Sequence, residues 1–161
     1  GVCNALENLI IHKNFPHTRE VLQSLLEANV ELYLDEKIHQ IFPNCKIATD
    51  EDYKTEFLDL KLAVKNADTM DEAIDFIEKY SSGHTEAILS ENYENIRRFL
   101  HSIDSAAVFV NASTRFHDGG ELGLGSELGI STGKLHVRGP MGLTHLTTTT
   151  TYLYGDGQIR A

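Results

Sequence analysis

The sequence predicts an α/β fold. Three layers are expected, with helices on both faces of a mostly parallel sheet and an extended strand at the C-terminus. Three observations carry that expectation. Short apolar runs alternate with segments of helical period from residue 9 to residue 110, the order expected of α/β units. The stretches joining successive runs are long enough for a helix, so right-handed crossovers and parallel pairing follow. The chain then closes on Leu146–Tyr154, LTTTTTYLY, where five successive threonines disfavour helix and suit extended backbone.

Taken in order, Leu9-Ile10-Ile11 reads as a short buried strand. Thr18 to Ala28 carries Val21, Leu22, Leu25 and Leu26 at helical spacing, and Asn29 ends it as a left-handed C-cap. Glu31 to Leu34 is the next strand. Asp35 caps a short helix to Ile41, which Pro43 stops. Asp50-Glu51-Asp52-Tyr53 reads as a surface helical turn. Leu58 to Val64 alternates apolar and polar residues, as a half-covered strand does. Thr69 caps a helix with Met70, Ala73, Ile74 and Ile77 on one face and acidic residues in its early turns. Ser81-Ser82-Gly83 breaks it. Glu86 to Leu89 is a strand. Asn92 to Ser102 is a helix with Ile96, Phe99, Leu100 and Ile103 inward, and a strand starts at Ala106.

At 161 residues the chain fits one domain with a real core. Its 41% apolar content is ordinary for a soluble protein, and a net charge of -10 argues against nucleic acid or anionic membrane as partner. No run is long enough to span a bilayer and no signal peptide opens the chain. Two cysteines, Cys3 and Cys45, are too few for a disulfide framework and fit a reducing, cytoplasmic setting. The eight histidines lack zinc-ligand spacing, and no metal site is expected. The opening Gly1, without Met, reads as a piece of something longer.

The chain is organised around residues 108–143, VFVNASTRFHDGGELGLGSELGISTGKLHVRGPMGL. A buried strand gives way at once to small, polar and glycine-rich sequence. Polar groups just past the carboxyl end of such a strand stand where open α/β sheets bind ligands. Glycine permits close backbone approach or positive φ, and the plain alternative is a long surface loop. Gly123, Gly125 and Gly129 give GxGxxxG, which is no dinucleotide fingerprint.

The motifs NASTRF, GLGxExGIST and RGPMGL resemble the signature region of the γ-glutamyl phosphate reductase family, in the aldehyde dehydrogenase superfamily. The similarity runs from Gly1-Val2-Cys3-Asn4-Ala5-Leu6-Glu7 to Gly155-Asp156-Gly157-Gln158-Ile159-Arg160. The resemblance implies an aldehyde dehydrogenase catalytic domain over 1–143 and an oligomerisation arm over 144–161. The cofactor-binding domain of that superfamily precedes the cysteine and is not in this chain. The activity implied is NADPH-dependent reduction of L-glutamate 5-phosphate to L-glutamate 5-semialdehyde, a step of proline biosynthesis, by an oligomer functionally linked to glutamate 5-kinase. On that reading the chain by itself does not turn over.

The implied site follows residue by residue. A lone cysteine beside an apolar segment is ordinarily inert. Here Cys-Asn-Ala-x-Glu resembles the family's nucleophile motif, which makes Cys3 the catalytic cysteine; Asn8 departs from a common threonine. A helical turn starting at Ala5 is expected to assist the thiol. Glu56 resembles the superfamily glutamate that binds the nicotinamide-ribose hydroxyls, against the alternative of a solvated carboxylate. Asn111, Ser113, Thr114 and Arg115 form the substrate set, with Gly123, Gly125 and Ser131 shaping the same wall. Arg115 suits a carboxylate or the departing phosphate, or pairs structurally with Asp118 or Glu121. Arg138-Gly139-Pro140 reads as a turn into the arm. His117 and His136 receive no role, and Cys45 reads as structural. The competing reading from another class is a non-catalytic oligomerisation module of the same fold; a third is a general aldehyde dehydrogenase working oxidatively.

Overall fold

Strand β4, Lys61–Ala67, is the spine of the sheet. The computed structural model describes residues 1–160. β4 pairs in parallel with β1, Asn8–His12, on one side and with β2, Glu31–Leu34, on the other. A two-residue strand β3, Lys46–Ile47, extends the order to β1-β4-β2-β3, every pair parallel. Both faces of β4 are covered. Leu62 and Val64 pack in one cluster with Leu22 of helix α1, Thr18–Glu27, and Ile38 of helix α2, Glu36–His39. Ala63 packs on the opposite face against Tyr53 and Phe76 of helix α3, Met70–Tyr80. This is the layering that helices on two sides of a parallel sheet require.

The expected strand over Leu58–Val64 is therefore displaced and of a different kind. Leu58 and Leu60 are exposed, and Leu58 takes a left-handed φ of 54° before the strand begins. The alternation read as one covered face in fact has small residues, Ala63 and Ala67, packed on the second face.

A second parallel pair, β5 (Thr85–Ile88) and β6 (Ala107–Val110), lies under α3 and helix α4, Tyr93–Ser102. Ile74, Phe99 and Ile103 form its core with Ile88 and Val108. Leu100, expected inward, is exposed, and so is Leu89, expected as the end of the strand. The caps follow the sequence. Asp35 accepts from Ile38 N–H at 3.0 Å, Thr69 from Glu72 N–H at 3.2 Å and Asn92 from Asn95 N–H at 3.0 Å. Asn29 holds φ at 60° after α1.

The glycine-rich stretch folds on itself. An antiparallel hairpin pairs β7, Gly129–Ser131, with β8, Gly139–Met141, and a four-residue helix α5 covers Leu143–Leu146. Residues 138–140, expected as a turn, thus enter a strand, and Leu146 ends a helix rather than starting the arm. Arg138 donates to the Asp104 carboxylate and carbonyl, both at 2.6 Å, which is a structural role. From Thr147 onward the arm has no strand partner among the described residues, and Tyr152, Leu153 and Tyr154 are exposed. No helix among the described residues is long and apolar enough to cross a membrane.

Candidate active site

The first residues form a tight turn, closed by a hydrogen bond from Ala5 N–H to the Val2 carbonyl at 2.8 Å. Cys3 and Asn4 are its central residues. Cys3 is exposed and Asn4 is only 6% exposed. The helical turn expected from Ala5 is not formed, because the chain passes from this turn into β1 at Asn8. No helix terminus therefore acts on the thiol.

Asn4 joins the turn to the loop after β6, more than a hundred residues away. Its amide nitrogen donates to the His117 carbonyl at 3.1 Å and to the Arg115 carbonyl at 3.4 Å. Its side-chain oxygen accepts from the Arg115 guanidinium, and its backbone carbonyl accepts from Thr114 Oγ1 at 2.7 Å. Truncating a buried amide so connected leaves carbonyls without donors, at about 1–3 kcal/mol each. Arg115 engages Asn4 and forms no ion pair with Asp118 or Glu121, and its side chain stays exposed. Ser113 caps a short 3-10 turn over Thr114–Phe116, accepting from Arg115 N–H at 3.2 Å.

Asn111 has a different task from the expected one. Its φ is 52°, and both ends of its amide are committed to Ser90: the oxygen accepts from Ser90 N–H at 2.8 Å and the nitrogen donates to Ser90 O at 2.9 Å. It staples the carboxyl ends of β5 and β6.

From there the loop runs back along the sheet. His117 Nδ1 lies 2.7 Å from Oγ1 of Thr85, the first residue of β5. The turn that carries Cys3 and the loop that carries Arg115 are thus joined, through Asn4, toward the amino ends of β1 and β5. The loop leaves the carboxyl edge, where the sequence led one to expect its polar groups, at Asn111 and reaches the amino end of β5 by His117.

His117 is almost fully buried, and Thr85 Oγ1 also lies 2.6 Å from His84 Nδ1. The hydroxyl can accept from both rings, or donate to one and accept from the other, and the second arrangement requires the ring that accepts to be neutral. Burial lowers the pKa of both rings, and His84 lowers that of His117 further. A histidine depressed in this way stabilises the fold fully above its ordinary value near 6.5, and loses that contribution as pH falls below it.

Glu56 is exposed and lines a shallow cleft with Val2, Ala5, Leu6 and Glu7, on the side of the cysteine turn. The cleft is far smaller than the roughly 300–1,000 Å³ usual for a whole small-molecule site. Burial, then the charges of Glu56 and Glu86, hold the Glu7 carboxyl above the ordinary range. Gly123 and Gly125 take φ of 73° and 86° with open space where a Cβ would be, so conformation rather than close approach demands glycine there. Ser131 Oγ accepts from Gly133 N–H at 3.2 Å within its own hairpin. None of these three hydrogen-bonds to the cysteine turn or to residues 113–117. Their link to it is indirect, since Gly139, opposite Ser131 in the ladder, packs beside the His117 ring.

Sequence reasoning missed Asn4 and Thr85. An asparagine beside a cysteine signals only a turn; its partners lie 111 and 113 residues on, outside any local pattern.

No family model matches the chain. A γ-glutamyl phosphate reductase from Leptospira biflexa serovar Patoc is 60% identical over 160 residues, covering 99% of this chain and 38% of that protein. Another from Heliobacterium modesticaldum is 54% identical over 165 residues, covering 99% and 39%. The crystal structure of γ-glutamyl phosphate reductase from Thermotoga maritima superposes with a TM-score of 0.91 at 46% identity, over 100% of this chain and 39% of that one. A propionaldehyde dehydrogenase from Clostridium phytofermentans shares the fold, with a TM-score of 0.50 at 16% identity over 77% of this chain and 36% of that one. The chain is similar along its whole length, in sequence and in fold, to a part of γ-glutamyl phosphate reductases, and it spans 38% of the length of the first of these curated relatives.

Proposed function

We propose that this chain carries the nucleophile of a reductase that converts L-glutamate 5-phosphate to L-glutamate 5-semialdehyde, within proline biosynthesis. The observation that supports it most is the exposed Cys3 on a turn bonded to the Thr114–His117 loop. The Cys3 thiolate attacks the acyl-phosphate carbon, the C–O bond to phosphate breaks, and inorganic phosphate leaves a thioacyl Cys3. Reduction of that thioester gives a hemithioacetal, whose C–S bond breaks to release the aldehyde and restore the thiolate. No water attacks the thioester in this direction, so no deacylating base is required. The Cys3 N–H is a candidate donor to the carbonyl oxygen, where charge gathers at each step. The exposed Arg115 guanidinium and Ser113 hydroxyl suit the substrate's carboxylate or its phosphate chemically, which supports giving them that role.

The residues present fit a nicotinamide cofactor in part. A ribose-binding carboxylate needs to be reachable from the nucleophile, and Glu56 shares a cleft with the cysteine turn. NADPH, when bound, supplies the hydride. In this reading residues 1–143 are the catalytic part and 144–161 an arm that pairs with another copy in a homo-oligomer.

The test is turnover by a full-length reductase carrying this sequence. Acyl-phosphate reduction is expected to exceed oxidation of simple aldehydes by about 100-fold or more in kcat/KM, with the 161-residue chain alone giving neither. Comparable oxidation of simple aldehydes would contradict the proposal.

A further inference from the structure

We infer that Asn4 is the positioning residue of this site: it locks the Cys3 turn to the Thr114–His117 loop so that thiol and substrate-binding groups keep one fixed separation. The inference rests on Cys3 as the nucleophile.

Three features of the turn support it. Only one backbone bond, Ala5 N–H to Val2 O, closes the turn from within. Every other polar contact that ties it down runs through Asn4, and all of them end on Thr114, Arg115 or His117. Asn4 is buried while its neighbour Cys3 is exposed, so the residue that anchors and the residue that reacts are adjacent and separate. Asparagine suits the place chemically. Its amide offers donors to two carbonyls and an acceptor to a guanidinium at one site, which neither aspartate nor serine can do. The far side is itself fixed, because His117 is held by Thr85 on β5. Asn4 therefore ties the nucleophile turn to the sheet framework and orients Arg115 in the same contact. A misplacement on the order of 1 Å at a reacting centre costs about 100-fold in rate.

The experiment measures kcat and KM for the acyl phosphate in a full-length reductase carrying this sequence. Asn4→Ala is expected to lower kcat per folded molecule by about 100-fold while KM stays within about threefold. Asn4→Ser, which restores one hydroxyl donor, is expected to recover part of the loss, and Thr114→Val to lower kcat by about tenfold in the same pattern. A purely structural residue would shift thermal stability and the folded fraction and leave kcat per folded molecule alone. Asn4→Ala with kcat within about threefold of the parent, or with only KM raised, would overturn the inference. If Asn4→Ala does not fold, Thr114→Val decides by the same split. Cys3→Ala separates the two readings. An active Cys3→Ala enzyme refutes the nucleophile itself, whereas an inactive one beside an unimpaired Asn4→Ala refutes only the positioning role.

Discussion

Replacing Cys3 by alanine is expected to reduce acyl-phosphate reduction by about 10³-fold or more, because the covalent step loses its only sulfur. Cys45→Ala is the matched control and is expected to leave turnover within about twofold. The two thiols differ in their surroundings. Cys3 lies exposed on a turn, whereas Cys45 is half-buried against the Leu22 cluster, and burial pushes its thiol up. A buried thiol is a poor nucleophile near neutral pH because little of it is thiolate. Steady-state turnover of the two variants in a full-length reductase makes the comparison. Equal losses in both would point to general damage, and no loss in Cys3→Ala would leave only the reading of the chain as an assembly module.

The second large effect is on stability. Leu22→Ala is expected to cost about 2–5 kcal/mol, read as a lower urea midpoint with little change in slope. Leu22 has no exposed surface and packs among Ile11, Leu32, Leu34, Ile38, Leu62 and Val64, so truncation leaves a cavity bounded by three strands and two helices. Leu153→Ala, in the exposed arm, is expected to change the midpoint of the isolated chain by less than about 0.5 kcal/mol. The same substitution in an assembled oligomer is where a role for the arm would show.

These contrasts also mark what the sequence made legible. The β/α alternation gave the parallel strands from Asn8 to Val110, since period and capping are local signals: Asp35 and Thr69 each cap the helix expected of them. Local period failed where burial was decided at a distance. Leu58 and Leu60 continued the alternation of β4, but the chain reaches the sheet only at Lys61, and Leu58 turns through a left-handed conformation before it. Leu89 and Leu100 continued apolar runs, yet both are exposed. The glycine-rich stretch has no period, and its shape comes from specific bonds such as Glu127 accepting from Gly119 N–H at 2.8 Å. At the site, residue types suggested Cys3, Thr114 and Arg115, and the fold brings their segments together. The same types suggested Asn111 as a ligand group, where the fold spends its amide on Ser90. Asn4 carried no signal, because its importance lies wholly in partners more than a hundred residues away.

One measurement bears most directly on the nucleophile. A full-length reductase carrying this sequence is incubated with L-glutamate 5-phosphate without reduced nucleotide, quenched in acid, digested and analysed by mass spectrometry. The expected result is a glutamyl group on the peptide containing Cys3, absent from the Cys45 peptide and discharged when NADPH is added before the quench. An enzyme that turns over normally yet never carries the acyl group on Cys3, or carries it on Cys45, would contradict the assignment.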